Sequence, residues 1–347
     1  MRAALTLAAK IAISGATLYL VAGTVAWNDV SRALGEADLL WLLLALAVFW
    51  AAQVASSLRC VYVAQALGGR LGLGLSLHAH FVGLWFNQVL PSSLGGDVIK
   101  VAILNPPLGL SVAIRAAILD RVSGFVFLMV AVTLGLPFYA GLLVAQPGLA
   151  LALAILSITC LAAVVPCTLL ARHLIARRHV GPKLTSILQI FADLWAFHRG
   201  TPLWRQVWTS ALVHCNGIAA YALIGASMGY VFDLFTFALI VPLVFLIALV
   251  PVSFAGWGVR EAGAVWLFGL TGMPAENALA MSVGFGLPVS PLELPNNEPI
   301  DLLPEVSVAF LCTKRKTMTP TRRSKIIPPM IIHIFLLDVC SSSMMYI

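Results

Sequence analysis

The sequence predicts an all-α polytopic membrane protein of about six to eight transmembrane helices, with two Pro/Gly-broken re-entrant segments in an inverted repeat. Three observations lead there. Hydrophobic residues make up 61% of the 347 residues, charged residues only 10%, and the mean hydropathy is +0.98. An average soluble domain is about 45–50% apolar and about 25% charged, and a soluble chain of this length has too little interior to hide the difference. The apolar residues fall in long runs rather than in the short alternating segments of a β-barrel. Finally, two Pro/Gly-rich interruptions share a pattern at a constant offset of 160 residues.

Taken in order, apolar runs close to the roughly 20 residues that cross a bilayer lie at about 11–27, 39–58, 116–142, 148–170, 207–230 and 236–254, with weaker stretches at about 75–90 and 262–289. Lys10 interrupts the first run and another run follows at once. An uncleaved first span is therefore expected, although Thr24-Val25-Ala26 resembles a signal-peptide cleavage site. The loop at 171–205 carries Arg172, Arg177, Arg178, Lys183, Arg199 and Arg205 against Asp193, which marks it as cytoplasmic. Counting spans back from that loop, and forward from a cytoplasmic N-terminus with Arg2 and Lys10, makes residues 60–115 begin and end on one side. That describes a re-entrant hairpin, tolerated at membrane depth only where protein buries it or water wets it.

The first interruption reads Pro91-Ser92-Ser93-Leu94-Gly95-Gly96-Asp97-Val98-Ile99-Lys100. The second runs from Pro251 through Ser253, Gly256, Trp257, Gly258, Val259 and Arg260 to Glu261. The shared pattern is P-x-S-x-x-G-x-x-[IV]-[KR]. Three full spans lie between the interruptions. An odd number brings them in from opposite sides, with half-repeats at about 5–142 and 148–287. Pro91 and Pro251 stop a helix by removing an N–H and crowding the preceding turn. Gly95, Gly96, Gly256 and Gly258 permit unusual dihedrals and close backbone approach. A helix restarting after such a break points free N–H groups at the gap and favours an anion such as a lipid phosphate, where Lys100 and Arg260 would add full charge. Tight helix packing without a ligand is the plainer alternative.

The ionisable residues near membrane depth are Asp97, Lys100, Asp120, Arg121, Arg260 and Glu261. Unpaired, each costs about 3 kcal/mol at a helix centre, so six cost roughly 18 kcal/mol as an upper bound. They must pair or face water. The expected pairs are Asp97 with Arg260, and Glu261 with Lys100 or Arg121. The alternative for Asp120 and Arg121 is a capping role at the cytoplasmic end of their helix. Asn87 and Gln88 are placed to hydrogen-bond the broken backbone. His214 and Asn216 lie within a span and are placed to line a polar path or to be satisfied between helices.

Other signals exclude more than they suggest. Gly225-Ala226-Ser227-Met228-Gly229 matches G-x-S-x-G but sits in an apolar helix, where small-residue packing explains it better than a nucleophile elbow. The six cysteines form no CxxC pair and read as small apolar side chains. No metal, cofactor or nucleic acid is expected, and no P-loop is present. Beyond about residue 287 the sequence changes character. Eight of the nineteen prolines fall between Pro288 and Pro329, and the apolar run at 331–337 is too short to cross a bilayer. The organisation expected is a transmembrane domain at 1–287 followed by a disordered or aberrant tail at 288–347, with a frameshift as one origin.

Asn87-Gln88-Val89-Leu90-Pro91-Ser92-Ser93-Leu94-Gly95-Gly96-Asp97, Asp120-Arg121-Val122-Ser123-Gly124 and Gly256-Trp257-Gly258-Val259-Arg260-Glu261 occur in that order. This resembles the lysylphosphatidylglycerol synthase transmembrane-region family over about residues 5–285. The resemblance implies a flippase-like protein of a bacterial or archaeal plasma membrane. It assigns Asp97, Lys100, Asp120, Arg121, Arg260 and Glu261 to the functional positions. Lys100 stands where arginine is common, replacing a bidentate fork with a point charge. The family's lipid synthases carry a large soluble aminoacyl-transfer domain, for which this chain has no room. The leading expectation is translocation of a phosphate-bearing phospholipid, glycolipid or polyprenyl-linked amphiphile, with an anionic lipid head group as the partner. The alternatives are a non-catalytic partner of a membrane glycosyltransferase in envelope glycolipid synthesis and, with less support, a membrane glycosyl- or acyltransferase using Asp97 and Glu261 as acid and base.

Overall fold

The structure, a computed structural model, describes residues 2–89, 95–142, 146–177, 181–197, 200–230, 233–250, 253 and 256–286. Among these there are twelve α-helices and no strand. Pro91, Pro251 and the tail at 288–347 lie outside the described residues.

The first helices are α1 (Arg2–Thr24), bent by 86° into α2 (Trp27–Gly35), and α3 (Leu39–Ala66). α3 starts where the Asp38 carboxylate accepts the Leu40 N–H at 2.8 Å, a side-chain N-cap. It stops before Gly68, whose φ of 81° suits the left-handed position after a helix. α4 (Leu73–Val89) and α5 (Gly95–Leu108) form a hairpin. Its arms touch through glycine: a Cβ on Gly96 would lie 1.9 Å from the Gly83 carbonyl oxygen, and one on Gly83 would lie 2.9 Å from that of Gly96. Gly96→Ala is therefore expected to force the arms apart and cost about 1–3 kcal/mol, the usual range for overpacking. Thermal unfolding in detergent measures this, and an unchanged midpoint would mean that the close approach is dispensable.

α6 (Leu110–Leu142) and α7 (Pro147–Ala176) follow as long apolar helices, then α8 (Pro182–Phe197) within the basic loop, and α9 (Gly200–Ser227). α10 (Leu234–Leu249) is apolar all round and correspondingly buried, with Phe237, Leu239, Ile240, Val241, Leu243 and Val244 in the main core. The Tyr139 hydroxyl of α6 donates to the Leu239 carbonyl at 2.7 Å, pinning the two helices together. α11 (Val259–Gly269) packs on α10 and on α12 (Ala275–Gly286).

Four helices are long and apolar enough to cross a membrane: Leu39–Ala66, Leu110–Tyr139, Pro147–Ala176 and Leu203–Ser227. The bent α1–α2 pair makes a fifth if it counts as one span. Among the described residues, four or five helices thus meet this length and composition test, against six to eight spans expected over the chain. α10 has 16 residues, about 24 Å at ~1.5 Å per residue, short of the roughly 30 Å hydrocarbon core. The apolar stretch near 262–289 divides into helices of 11 and 12 residues. The three spans expected between the interruptions correspond to α6, α7 and α9.

α3 and α9 form the most extensive helix pair, and they run antiparallel. The Asp38 N–H donates to the Ser227 carbonyl at 2.8 Å, Arg59 reaches Ser210, and the Arg205 guanidinium lies 5.0 Å from the centre of the Tyr62 ring. This register centres the pair at about Gln53 opposite His214. The starts of α3 and α9 are 161 residues apart and the ends of α4 and α10 are 160 apart.

Candidate functional site

One buried charge cluster joins three helices. Asp120, ten residues into α6, accepts from Arg59 Nε of α3 at 2.7 Å through one oxygen and from Lys100 Nζ of α5 at 2.9 Å through the other. The side chains of Arg59, Lys100 and Asp120 are 7%, 6% and 7% exposed. Arg59 also donates to the Ser210 hydroxyl of α9 at 3.3 Å. Beside this triad, Arg121 pairs with Asp97. Residues 97 and 100 share one face of α5, one turn apart, and meet consecutive residues of α6. Together the five groups are three cations and two carboxylates. Desolvating isolated ions costs several kcal/mol each, so the arrangement holds only because each carboxylate is matched at hydrogen-bond distance.

The second interruption closes on itself. Glu261 is fully buried, and its carboxylate accepts the Gly258 N–H at 2.7 Å, half of a capping box at the start of α11. The same carboxylate accepts Arg260 Nε at 2.9 Å and a terminal guanidinium nitrogen at 2.5 Å. The Arg260 guanidinium stacks 5.0 Å from the centre of the Trp257 ring. The two interruptions touch: Trp257 Nε1 donates to Gln88 Oε1 of α4 at 3.1 Å. Gly258 has φ 86°, and a Cβ there would meet Thr17 Oγ1 of α1 at 2.2 Å, so glycine is required twice over.

These contacts correct the pairing read from sequence. Asp97 meets Arg121, not Arg260; Glu261 meets Arg260, not Lys100 or Arg121; Lys100 meets Asp120. Each interruption is neutralised within its own half, by neighbours that helix geometry brings together. Asp120 and Arg121 do not cap a helix end, since α6 begins at Leu110. The helix starts are not open anion sites either. Asn87 Oδ1 accepts the Gly96 N–H at 2.8 Å and Asp97 occupies the first turn of α5, while Glu261 takes the start of α11.

The open cationic surface lies elsewhere. A cavity of about 320 Å³ sits between α3, α6, α9, α10 and α12, with Gln53, Arg59, Arg121, His214, Phe245 and Phe285 in its wall. Its volume falls within the roughly 300–1,000 Å³ of small-molecule sites, and a mainly apolar wall with a few polar groups is the usual composition. The two carboxylates of the cluster, Asp97 and Asp120, are not in this wall, so the wall presents the cations. His214 stacks on Phe127 at 5.3 Å and shares a hydrogen bond with the Gly124 carbonyl at 3.1 Å. Its Nδ1 has no hydrogen-bond partner among the described residues. Gln53 bonds His80 at 3.0 Å. Gly124 admits the guanidinium, since a Cβ there would lie 3.2 Å from an Arg59 nitrogen.

Arg59 escaped the sequence reading because the apolar run was taken to end at residue 58, and Gln53 because it lies inside that run as a single polar residue. The available signal was spacing: Ala52, Ser56, Arg59 and Val63 recur at helical intervals and all face the interior. The G-x-S-x-G match carries no nucleophile, as Ser227 is buried and its hydroxyl donates to the Ile224 carbonyl at 2.7 Å.

Comparison with known families matches residues 7–287 to the lysylphosphatidylglycerol synthase transmembrane region. No curated protein and no solved structure matches the chain.

Proposed function

We propose that this chain, which belongs to the lysylphosphatidylglycerol synthase transmembrane-region family, moves a phosphate-bearing amphiphile between the leaflets of a bacterial or archaeal plasma membrane, with its N-terminus in the cytoplasm. The family places it among membrane proteins associated with lipid metabolism. The observation that carries the transport reading is the cavity. Arg59 and Arg121 face an otherwise largely apolar space, at the centre of the antiparallel α3–α9 pair. A head group bearing one phosphate gains charge-assisted hydrogen bonds there while its chains stay in lipid. We read the 160-residue register of helix ends, with α3 and α9 antiparallel, as an inverted repeat, which puts the cavity at the interface of the two halves. The carrier reading is preferred to an enzyme because Asp97, Asp120 and Glu261 are all held in ion pairs and are poorly placed to exchange protons.

Arg121 supplies the test, since its side chain is 36% exposed and its loss leaves the triad intact. In vesicles containing a fluorescent phosphatidylglycerol, with dithionite quenching to resolve the leaflets, Arg121→Gln is expected to slow lipid movement at least tenfold at unchanged protein content. Movement at the parent rate removes the cavity from the mechanism. A parent protein that moves no lipid, and is instead required by a membrane glycosyltransferase, would favour the partner role.

A further inference from the structure

A second cavity of about 280 Å³ lies between α3, α9 and α12. Its lining is apolar throughout, with Leu42, Ala45 and Leu46 on α3 and Ala220 and Ile224 on α9. It adjoins the cationic cavity, because Phe49 and Phe285 belong to the walls of both. These rings meet edge to face at 5.6 Å, and Phe285 also stacks on Tyr221 at 4.4 Å. Position along α3 gives the two cavities a direction. Leu42 to Phe49 covers about 10 Å, and Arg59 lies about 15 Å farther on. Apolar and cationic ends are thus laid out along a helix that crosses the membrane. The half-buried Leu42 and Leu46 form the outer edge of the apolar cavity, next to the exposed Leu43 and Leu44.

We infer that the apolar cavity takes one hydrocarbon chain of the amphiphile whose phosphate occupies the cationic cavity, with the Phe49–Phe285 pair marking where head group gives way to chain. The inference rests on the transport reading above and adds a chain-binding subsite to it. Three features single out a chain. The lining offers no hydrogen-bonding side chain, so a polar ligand would be stranded there. An apolar cavity of this kind stays dry and accepts hydrocarbon, and this one is about twice the ~150 Å³ that holds benzene. Its continuity with the cationic cavity ties it to the same ligand. The volume suits a stretch of one chain, leaving any second chain in the lipid phase. Gly284 keeps the space open, since a Cβ there would lie 3.3 Å from Ile224.

The test uses the full chain in nanodiscs with two phosphatidylglycerol probes, one carrying a diazirine in an acyl chain and one carrying it on the head group. The acyl probe is expected to label the 42–49 segment of α3 and the 220–224 segment of α9, and the head-group probe the neighbourhood of Arg121. Leu46→Trp fills the cavity and is expected to reduce acyl labelling of these segments at least tenfold, with a clearly smaller fall in head-group labelling near Arg121. Leu42→Trp, also at the half-buried edge, repeats the experiment if the first variant folds poorly. Head-group labelling that persists while acyl labelling ignores both tryptophans overturns the subsite and spares the transport reading. Loss of head-group labelling from the parent protein overturns the transport reading and this inference with it.

Discussion

Asp120→Ala is expected to destabilise the protein by about 3–5 kcal/mol, the cost of breaking a buried ion pair and leaving charge uncompensated. The figure is large because one carboxylate serves two buried cations, Arg59 and Lys100. Thermal unfolding in detergent measures it. A combined replacement separates stability from function. Arg59→Met, Lys100→Met and Asp120→Leu together exchange the triad for apolar side chains, and such exchanges are often neutral or stabilising. The triple variant is expected to recover most of the lost stability while lipid movement stays at least tenfold below the parent rate. An Asp120→Ala protein as stable as the parent would mean that the triad is not the buried unit described. A triple variant that transports normally would make it purely structural.

Glu261→Ala is expected to have the second largest effect, again about 3–5 kcal/mol. It leaves Arg260 without its partner and frees the N–H of Gly258 in a buried setting. Glu261→Gln retains an acceptor for that N–H but loses the charge, so about half of the loss is expected, in line with the ~1.5–3 kcal/mol worth of hydrogen bonds to charged groups. Hydrogen exchange should rise first in the opening turn of α11. Equal destabilisation by alanine and glutamine would assign the whole effect to the ion pair. No destabilisation by either would remove Glu261 as the anchor of the second interruption.

Both variants bear on what the sequence could disclose. The interruptions were visible because proline and glycine punctuate a helix through local sterics. The 160-residue offset was visible because it is a property of the string. The charged residues at these positions were visible because charge is scarce in an apolar chain. Their partners were not, because pairing depends on how α5 folds back on α6, and a difference of one residue in that register decides whether Lys100 meets Asp120 or Arg121. Arg59 was hidden by the assumption that a span ends at its first charge. Its helix continues for seven more residues to Ala66, and the charge is carried inward by a face of small residues. Hydropathy also does not reveal where an apolar stretch is divided, as it is into α11 and α12.

The similarity of the two halves does not extend to their charges. At the 160-residue offset, Arg59 corresponds to Ala219, Asp97 to Trp257, Asp120 to Ala280 and Arg121 to Met281, and only Lys100 finds a like residue, Arg260. A scaffold whose halves matched in every respect could exchange roles at no energetic cost, and its inward- and outward-facing forms would be equally populated. Under the transport reading proposed above, the Arg59–Lys100–Asp120 triad and the Asp97–Arg121 pair in the first half face a single Arg260–Glu261 pair in the second, so those two forms are not expected to be degenerate. A difference of only about 1.4 kcal/mol would hold one of them at a tenfold excess. If the chain alternates between such forms as proposed, the uneven charge gives it a preferred resting side.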